Sequence, residues 1–190
     1  SVMSKVWNNK IFRHIQTEVD QASKKLAEER GACPDAEEYG FKERFSNKTA
    51  IAPTASISII CGGSSPGVEP IAANSYTHKT LSGSYNVRNK YLQKILEKHG
   101  KNDDETWSTI TTNQGSVSHL KFLSDHEKDV FKTAFELDQK WIVELGAERT
   151  PYVSQAQSIN IFLPADVHKK ELHQIHFQAW KKGLKSLYYC

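Results

Sequence analysis

The sequence is poor in cysteine, has one methionine and contains no long apolar run. Its three cysteines, Cys33, Cys61 and Cys190, are odd in number and match no zinc-ligand spacing, which argues against a disulfide scaffold and indicates a reducing compartment. No stretch is apolar over the length that spans a bilayer, and no charged-then-apolar leader opens the chain. We therefore expect a soluble, cytoplasmic protein without a membrane segment.

An excess of one charge is also lacking. Lys and Arg number 25 against 22 Asp and Glu, and the net charge of +3 is scattered, so nucleic-acid binding is not indicated. With 190 residues, of which 38% are hydrophobic, the chain is long enough for one domain with a core or for a piece of a larger domain. The only methionine at position 3 and the end at Cys190, directly after an apolar run, favour a piece.

A turn rich in hydroxyl groups is the most informative stretch. An apolar approach leads into Pro53-Thr54-Ala55-Ser56, and a Gly-Gly pair follows at 62–63. Backbone N–H groups and hydroxyls gathered at such a turn can hold a phosphate without a metal. Taken alone, these residues favour an ordinary turn, because Thr and Ser commonly cap helices and bond their own backbone there.

The helices are predicted from apolar residues that recur at three- and four-residue steps. They cover residues 8–30, 89–99, a short stretch from 103, 124–146 and 166–182. The apolar stripe of the first is expected in the core. Ser124 and Glu127 form a capping box from which the fourth helix should run unbroken to Gly146. Asp166 is the predicted cap of the last helix, whose inner side should include His176 and Trp180.

The remaining segments are predicted as short extended pieces and loops. Residues 49–52 are predicted as a short strand and 184–189 as the final strand, and residues 76–81 and 152–163 are expected to be extended. Residues 31–45 form a break and an irregular surface loop, and a turn falls at Ser82-Gly83. The order extended segment, helix, extended segment at the end is the βαβ pattern of parallel strands, whose carboxyl ends meet at one mouth.

Three histidines near the last helix raise the possibility of a metal site. His168, His173 and His176 lie close together in the sequence, but with Glu171 they match no recognised ligand motif. A position on the helix surface explains them better, and no metal site is predicted.

Three separated motifs, Pro53-Thr54-Ala55-Ser56, Val68-Glu69-Pro70 and Leu187-Tyr188-Tyr189, occur in the chain. In this order they resemble the C-terminal part of the large, catalytic subunit of class I ribonucleotide reductases, and the likeness extends from Asn8 to Tyr189. The resemblance implies an α/β fold in which residues 1–190 form the C-terminal portion of a ten-stranded α/β barrel, helix-rich and with few short strands.

The family replaces the ribose 2′-OH of ribonucleoside diphosphates by hydrogen through a cysteine thiyl radical. The resemblance implies that the radical cysteine and the nucleotide-effector sites lie upstream of this chain. Shuttle cysteines that thioredoxin or glutaredoxin reduces would lie beyond Cys190. The chain alone would be inactive, would bind no cofactor, and would need the remaining large-subunit polypeptide and a small subunit carrying a di-iron tyrosyl-radical cofactor.

The same resemblance assigns the turn to substrate binding. Thr54, Ala55, Ser56 and the backbone N–H of Ile57 would bind the β-phosphate, although many relatives carry a hydroxyl where Ile57 stands. It also implies that a short helix follows the turn, where the alternation of Ile57 and Ile59 by itself predicts a strand. Ser56 is a suitable N-cap for such a helix, and its start would offer free N–H groups to a phosphate.

The resemblance makes Tyr188 and Tyr189 a relay that carries the radical from the small subunit to the cysteine, as two stacked phenols. A Tyr-Tyr pair at a strand end is otherwise commonly a packing feature. Both sites are expected to line one pocket. The alternative interpretation is a non-enzymatic phosphate-binding or interaction module with the hydroxyl-rich turn as its ligand site.

Overall fold

In a computed structural model, which describes residues 2–81 and 83–190, the chain divides into two compact units. One unit comprises the residues up to Pro53 together with Gln139–Cys190, and the other comprises Thr54–Asp138. We call them the first and the second unit. The predicted turn at Ser82-Gly83 lies partly outside the described residues.

Eight helices and one hairpin are formed in the described residues. The helices are α1 (Val2–Arg30), α2 (Pro34–Glu38), α3 (Ala55–Ile60), α4 (Lys90–Lys98), α5 (Asp104–Thr112), α6 (Asp125–Val130), α7 (Lys140–Arg149) and α8 (Lys169–Lys181). Single 3-10 turns lie at Ala134–Glu136 and Thr150–Tyr152. Strands β1 (Ser75–Thr80) and β2 (Gly83–Arg88) pair antiparallel, with Ser75 opposite Arg88.

The first unit is built on α7, which packs against both α1 and α8. Its buried core lies between α7, α8 and the extended residues after α7, and comprises Ile142, Val143, Ile159, Ile161, Ile175 and Ala179. Glu144 on α7 links the three helices, because it accepts from Lys5 of α1 at 3.3 Å and lies 2.9 Å from Lys182 at the end of α8. The neighbouring Lys182 ammonium lowers the pKa of Glu144.

The apolar stripe of α1 is not core, contrary to the prediction. Trp7 and Ile11 are at least half exposed. The reason is that α1 meets the rest of the first unit through polar groups: Asn8 donates to the carbonyl of Leu145, and Asn9 donates to the Tyr152 hydroxyl, both at 3.0 Å.

Three extended segments run side by side in the first unit, although none forms a regular strand. Ile51 pairs in parallel with Gln157, and its N–H and carbonyl bond to residues 156 and 158. Tyr188 and Tyr189 bond to residues 159 and 161. We call residues 153–161 the middle segment. The strands predicted at 49–52 and 184–189 are thus wrong as regular strands, whereas the parallel order around α8 is present.

The second unit has a separate core. Residues from α4, α5, the loop before α6 and the C-cap of α6 are buried together, namely Leu92, Leu96, Trp107, Ile110, Val117, Leu120, Leu123 and Phe131. Asn89 and Asp103 cap α4 and α5 with their side chains, so these helices begin where the sequence predicted them. Asn74, 1% exposed, donates to the carbonyls of Gly115 and Phe131, so one amide fastens two loops to the hairpin.

The helix predicted over 124–146 is wrong. The Ser124–Glu127 capping box forms and begins α6, but α6 ends at Val130. A second capping box, in which Glu136 accepts from the backbone and hydroxyl of Thr133, starts a separate 3-10 turn. The apolar periodicity therefore covers two helices, and the boundary between the units falls between them, after Asp138.

Two further helix starts differ from the prediction. The last helix begins at Lys169 and is capped by the ring of His168, not by Asp166. Its inner face includes Ile175 and Ala179, whereas His176 and Trp180 are exposed. The loop predicted at 31–45 contains α2, which Pro34 begins in the first helical position, where its missing N–H costs nothing.

Candidate functional site

The hydroxyl-rich turn lies at the start of the second unit. Thr54 precedes α3 with φ +45°, a left-handed conformation that β-branched residues rarely adopt. Its carbonyl accepts the first intrahelical bond, from the N–H of Ser58 at 2.8 Å. The predicted short helix is therefore confirmed, but Ser56 lies inside it and the N-cap position belongs to Thr54.

The open end of α3 carries donors that face outward from the helix. The first-turn N–H groups of Ala55, Ser56 and Ile57 have no intrahelical acceptor, as at any helix start. All three residues are exposed, and Ile57 is 57% exposed. The Thr54 side chain makes no capping hydrogen bond. These groups form the concentration of free donors that an anion requires.

The other end of α3 is fixed by its surroundings. The N–H groups of Gly63 and Ser64 both bond to the carbonyl of Ser58, at 3.0 and 3.2 Å. Lys90 on α4 donates to the carbonyl of Gly62 at 2.8 Å. The helix is thus held at its carboxyl end, while its amino end stays open.

Tyr188 and Tyr189 lie in the first unit with their rings in contact. The ring centroids are 4.3 Å apart at an interplanar angle of 64°, so the phenols meet edge to face and the predicted stacking is wrong. Ring centroids this close require both side chains to lie on the same side of the backbone, so the pair departs from the alternation of a regular strand. Tyr188 is 49% and Tyr189 67% exposed, which leaves both phenols open to a partner.

The backbone of the tyrosine pair is better fixed than the rings. The N–H of Tyr188 donates to the carbonyl of Ile159, and the N–H of Ile161 donates to the carbonyl of Tyr189, each at 2.8 Å. Leu184 and Leu187 pack against the core of the first unit just before the pair. The position of the phenols therefore depends on the middle segment.

The three histidines near α8 each make a different contact. His168 accepts from the N–H of Lys170, the ring of His173 stacks on Phe177, and His176 bonds to the carbonyl of Leu172. Within residues 2–81 and 83–190, no group of three or more His, Cys, Asp or Glu side chains is placed to hold a metal ion. Nor does any helix there have the length and apolar character needed to cross a bilayer.

Two residues near the tyrosine pair were missed by the sequence. Gln157 and Arg149 are 4% and 5% exposed, and they bond to each other through the Arg149 Nε and the Gln157 Oε1 at 2.5 Å. Gln157 stands in a polar run that predicts exposure, so nothing in the sequence indicated that its side chain is buried.

The hydroxyl-rich turn and the tyrosine pair belong to different units, and a shared pocket stays a prediction.

Comparison with known proteins gives consistent matches. The ribonucleotide reductase barrel-domain family model matches residues 34–190. The chain is 48% identical over 186 residues to the ribonucleoside-diphosphate reductase large subunit of Invertebrate iridescent virus 6, covering 96% of this chain and 19% of that protein. It is 42% identical over 185 residues to the large subunit of Invertebrate iridescent virus 3, covering 96% of this chain and 29% of that protein.

A solved structure matches as well. The class Id ribonucleotide reductase alpha subunit of Actinobacillus ureae superposes with a TM-score of 0.88 at 36% identity, over 100% of this chain and 35% of that chain. The chain thus spans about a fifth to a third of the length of these relatives. The predicted fold class, a helix-rich part of an α/β barrel with few short strands, is confirmed. By sequence and by fold, the chain belongs to the ribonucleotide reductase barrel-domain family.

Proposed function

We propose that residues 1–190 form the C-terminal portion of the catalytic barrel domain of a ribonucleoside-diphosphate reductase large subunit. The reaction reduces ribonucleoside diphosphates to deoxyribonucleoside diphosphates for DNA synthesis. The observation that carries the proposal is the family match over residues 34–190, which includes both candidate sites. This match supports the enzyme over the non-enzymatic module.

The hydroxyl-rich turn binds the β-phosphate in this proposal. The open N–H groups of Ala55, Ser56 and Ile57 and the hydroxyls of Thr54 and Ser56 donate to the phosphate oxygens, and the amino end of α3 favours the negative charge. The exposed Ile57 side chain contributes no hydroxyl, so its contact is limited to the backbone. Holding the phosphate orients the ribose against the radical centre. This lowers the activation barrier, because the substrate has already lost translational and rotational freedom when it is bound.

The tyrosine pair relays an oxidising equivalent. One phenol gives an electron and its proton to the oxidant delivered from the small subunit, and recovers both from its neighbour. The neighbour in turn recovers an electron and a proton from the thiol of the radical cysteine, which becomes a thiyl radical. Ring centroids 4.3 Å apart keep the hop between the phenols short.

The proposal requires partners. The radical cysteine and the effector sites lie on the remaining large-subunit polypeptide, and thioredoxin or glutaredoxin reduces the cysteines of a further C-terminal tail. The small subunit supplies the oxidant from a di-iron tyrosyl-radical cofactor. We place this assembly in the cytoplasm.

The test is reconstitution. A full-length large subunit that contains this sequence is combined with its small subunit and a dithiol reductant, and the conversion of each common ribonucleoside diphosphate is followed by chromatography. Deoxyribonucleoside diphosphate should form only with both subunits present. Ser56→Ala should raise KM several-fold, whereas Ser108→Ala, at an exposed position of α5 outside the candidate sites, should not. Absence of product with an active small subunit would overturn the proposal.

A further inference from the structure

Gln157 uses every hydrogen-bonding group of its side chain. Its Oε1 accepts from the Nε of Arg149 at 2.5 Å, and its Nε2 donates to the carbonyl of Gly146 and to the Thr150 hydroxyl, each at 2.9 Å. The Arg149 guanidinium also lies over the Phe12 ring of α1, 5.7 Å from the centroid. One buried amide thus fastens the middle segment to the carboxyl end of α7.

The backbone on either side of Gln157 holds the segment that leads into the hydroxyl-rich turn and the segment that carries the tyrosine pair. The carbonyl of Ala156 and the N–H of Ser158 bond to Ile51, which precedes Thr54 by three residues in the chain. The carbonyl of Ile159 and the N–H of Ile161 bond to the tyrosine pair. Since N–H and carbonyl groups alternate between the two edges of an extended segment, these two sets of bonds lie on opposite edges of the middle segment.

We propose that Gln157, held by Arg149, is a positioning residue for both sites, because it fixes the register of the middle segment. The segment that leads into Thr54 and the segment that bears the tyrosines are both hydrogen-bonded to that middle segment. The inference rests on the proposed function. The middle segment forms no regular strand, so its register is not fixed by continuous pairing. A one-residue slip would turn each side chain to the other face, and the buried amide opposes that slip.

An amide is suited to this position because it both accepts and donates. Leucine has a similar volume but leaves the Gly146 carbonyl and the Arg149 Nε without this partner. Glutamate keeps the acceptor for Arg149 but, when ionised, cannot donate to Gly146. The series Gln, Glu, Leu therefore removes the bonds in two steps.

The experiment compares Gln157→Leu and Gln157→Glu with the matched control Gln155→Leu, at an exposed position of the same segment. Each change is made in the full-length large subunit and assayed with the small subunit. The readouts are KM for cytidine diphosphate, kcat, the thermal midpoint, and the fluorine NMR signal of 3-fluorotyrosine placed at position 188.

We expect Gln157→Leu to raise KM several-fold and to lower kcat about tenfold to a hundredfold. Gln157→Glu should fall between Leu and wild type, and the fluorine signal should shift or broaden in the same order. A merely structural role would lower kcat in proportion to the folded fraction, with KM and the fluorine signal unchanged.

The inference is overturned if Gln157→Leu matches Gln155→Leu in KM and in the fluorine signal. If Gln157→Leu does not fold, Gln157→Glu decides by the same two measurements. Ser56→Ala and Tyr188→Phe are run in parallel. If these direct changes also leave KM and kcat unaltered, the proposed function has failed, whereas the fluorine signal still reports whether Gln157 positions Tyr188.

Discussion

The N–H of Tyr188 donates a 2.8 Å hydrogen bond to the carbonyl of Ile159. The side chain of Ile159 is fully buried, and its Cδ1 lies only 2.7 Å from where a Cβ on Gly146 would stand. The backbone of an exposed tyrosine is therefore bonded to a fully buried residue that lies against Gly146 of α7. The contact of α7 with the middle segment sets where the tyrosine pair can lie.

Gly146→Ala tests this packing. The added methyl would meet Ile159, and we expect it to destabilise the folded state by about 1–3 kcal/mol, even though alanine favours a helix over glycine. The free energy of unfolding of the full-length subunit, from denaturant titration, measures the effect.

Ile159→Val supplies the control, because it removes the Cδ1 that the new methyl meets. Alone it should cost about 1 kcal/mol. Combined with Gly146→Ala, it should cost clearly less than the two changes added together. Strict additivity would show that the predicted steric contact does not exist.

The Glu127 carboxylate predicts a pH dependence. The Ser124 hydroxyl and backbone N–H, helped by His99, lower its pKa from an ordinary value of 4.5 to about 2. A carboxylate with a lowered folded-state pKa stabilises the protein above its unfolded pKa, and this contribution is lost as the pH falls from about 5 to 2. The difference in thermal midpoint between wild type and Glu127→Gln should therefore narrow over that range.

Ser124→Ala provides the matched variant, because it removes the hydroxyl donor that contributes most to the shift. It should raise the pKa of Glu127 and flatten the pH dependence, as measured by carboxylate NMR titration. An unchanged pKa in Ser124→Ala would contradict the assignment of its cause.

Because Thr54 has a left-handed conformation, substitutions there should change substrate affinity with little change in stability. Thr54→Gly relieves the strain but loses the hydroxyl, and glycine adds freedom to the unfolded chain, so we expect stability to change by less than about 1 kcal/mol. The KM for the nucleoside diphosphate should nevertheless rise. Thr54→Ser keeps the hydroxyl and should retain most of the affinity. Equal KM values for the two variants would remove Thr54 from the phosphate site.

The sequence predicted the features that local chemistry decides. The Ser124–Glu127 capping box forms as expected, and the helices predicted from 89 and 103 begin there, because each start needs only residues within one helical turn. The break after Val130 was missed, since apolar periodicity does not reveal that its two halves pack in different units.

The candidate site residues were found through motifs, whereas the contacts that hold them in place were not predicted. Tyr188 and Tyr189 were identified by their place in the chain, but their edge-to-face contact depends on the local backbone. Gln157 and Arg149 come together only when α7 packs against the middle segment, a tertiary contact that no local pattern encodes. Exposure of Trp180 was likewise not predictable, because helical periodicity places it beside Ala179 without showing how wide the buried face is.

The central claim is tested most directly by replacing Tyr188 and Tyr189 singly with Phe in the reconstituted enzyme. Phenylalanine keeps the ring but cannot give up a proton with an electron, so each variant should bind nucleoside diphosphate with wild-type affinity and form no deoxynucleotide above background. Equilibrium dialysis with cytidine diphosphate and product assay on the same samples give both values. Turnover retained in either variant would contradict the relay.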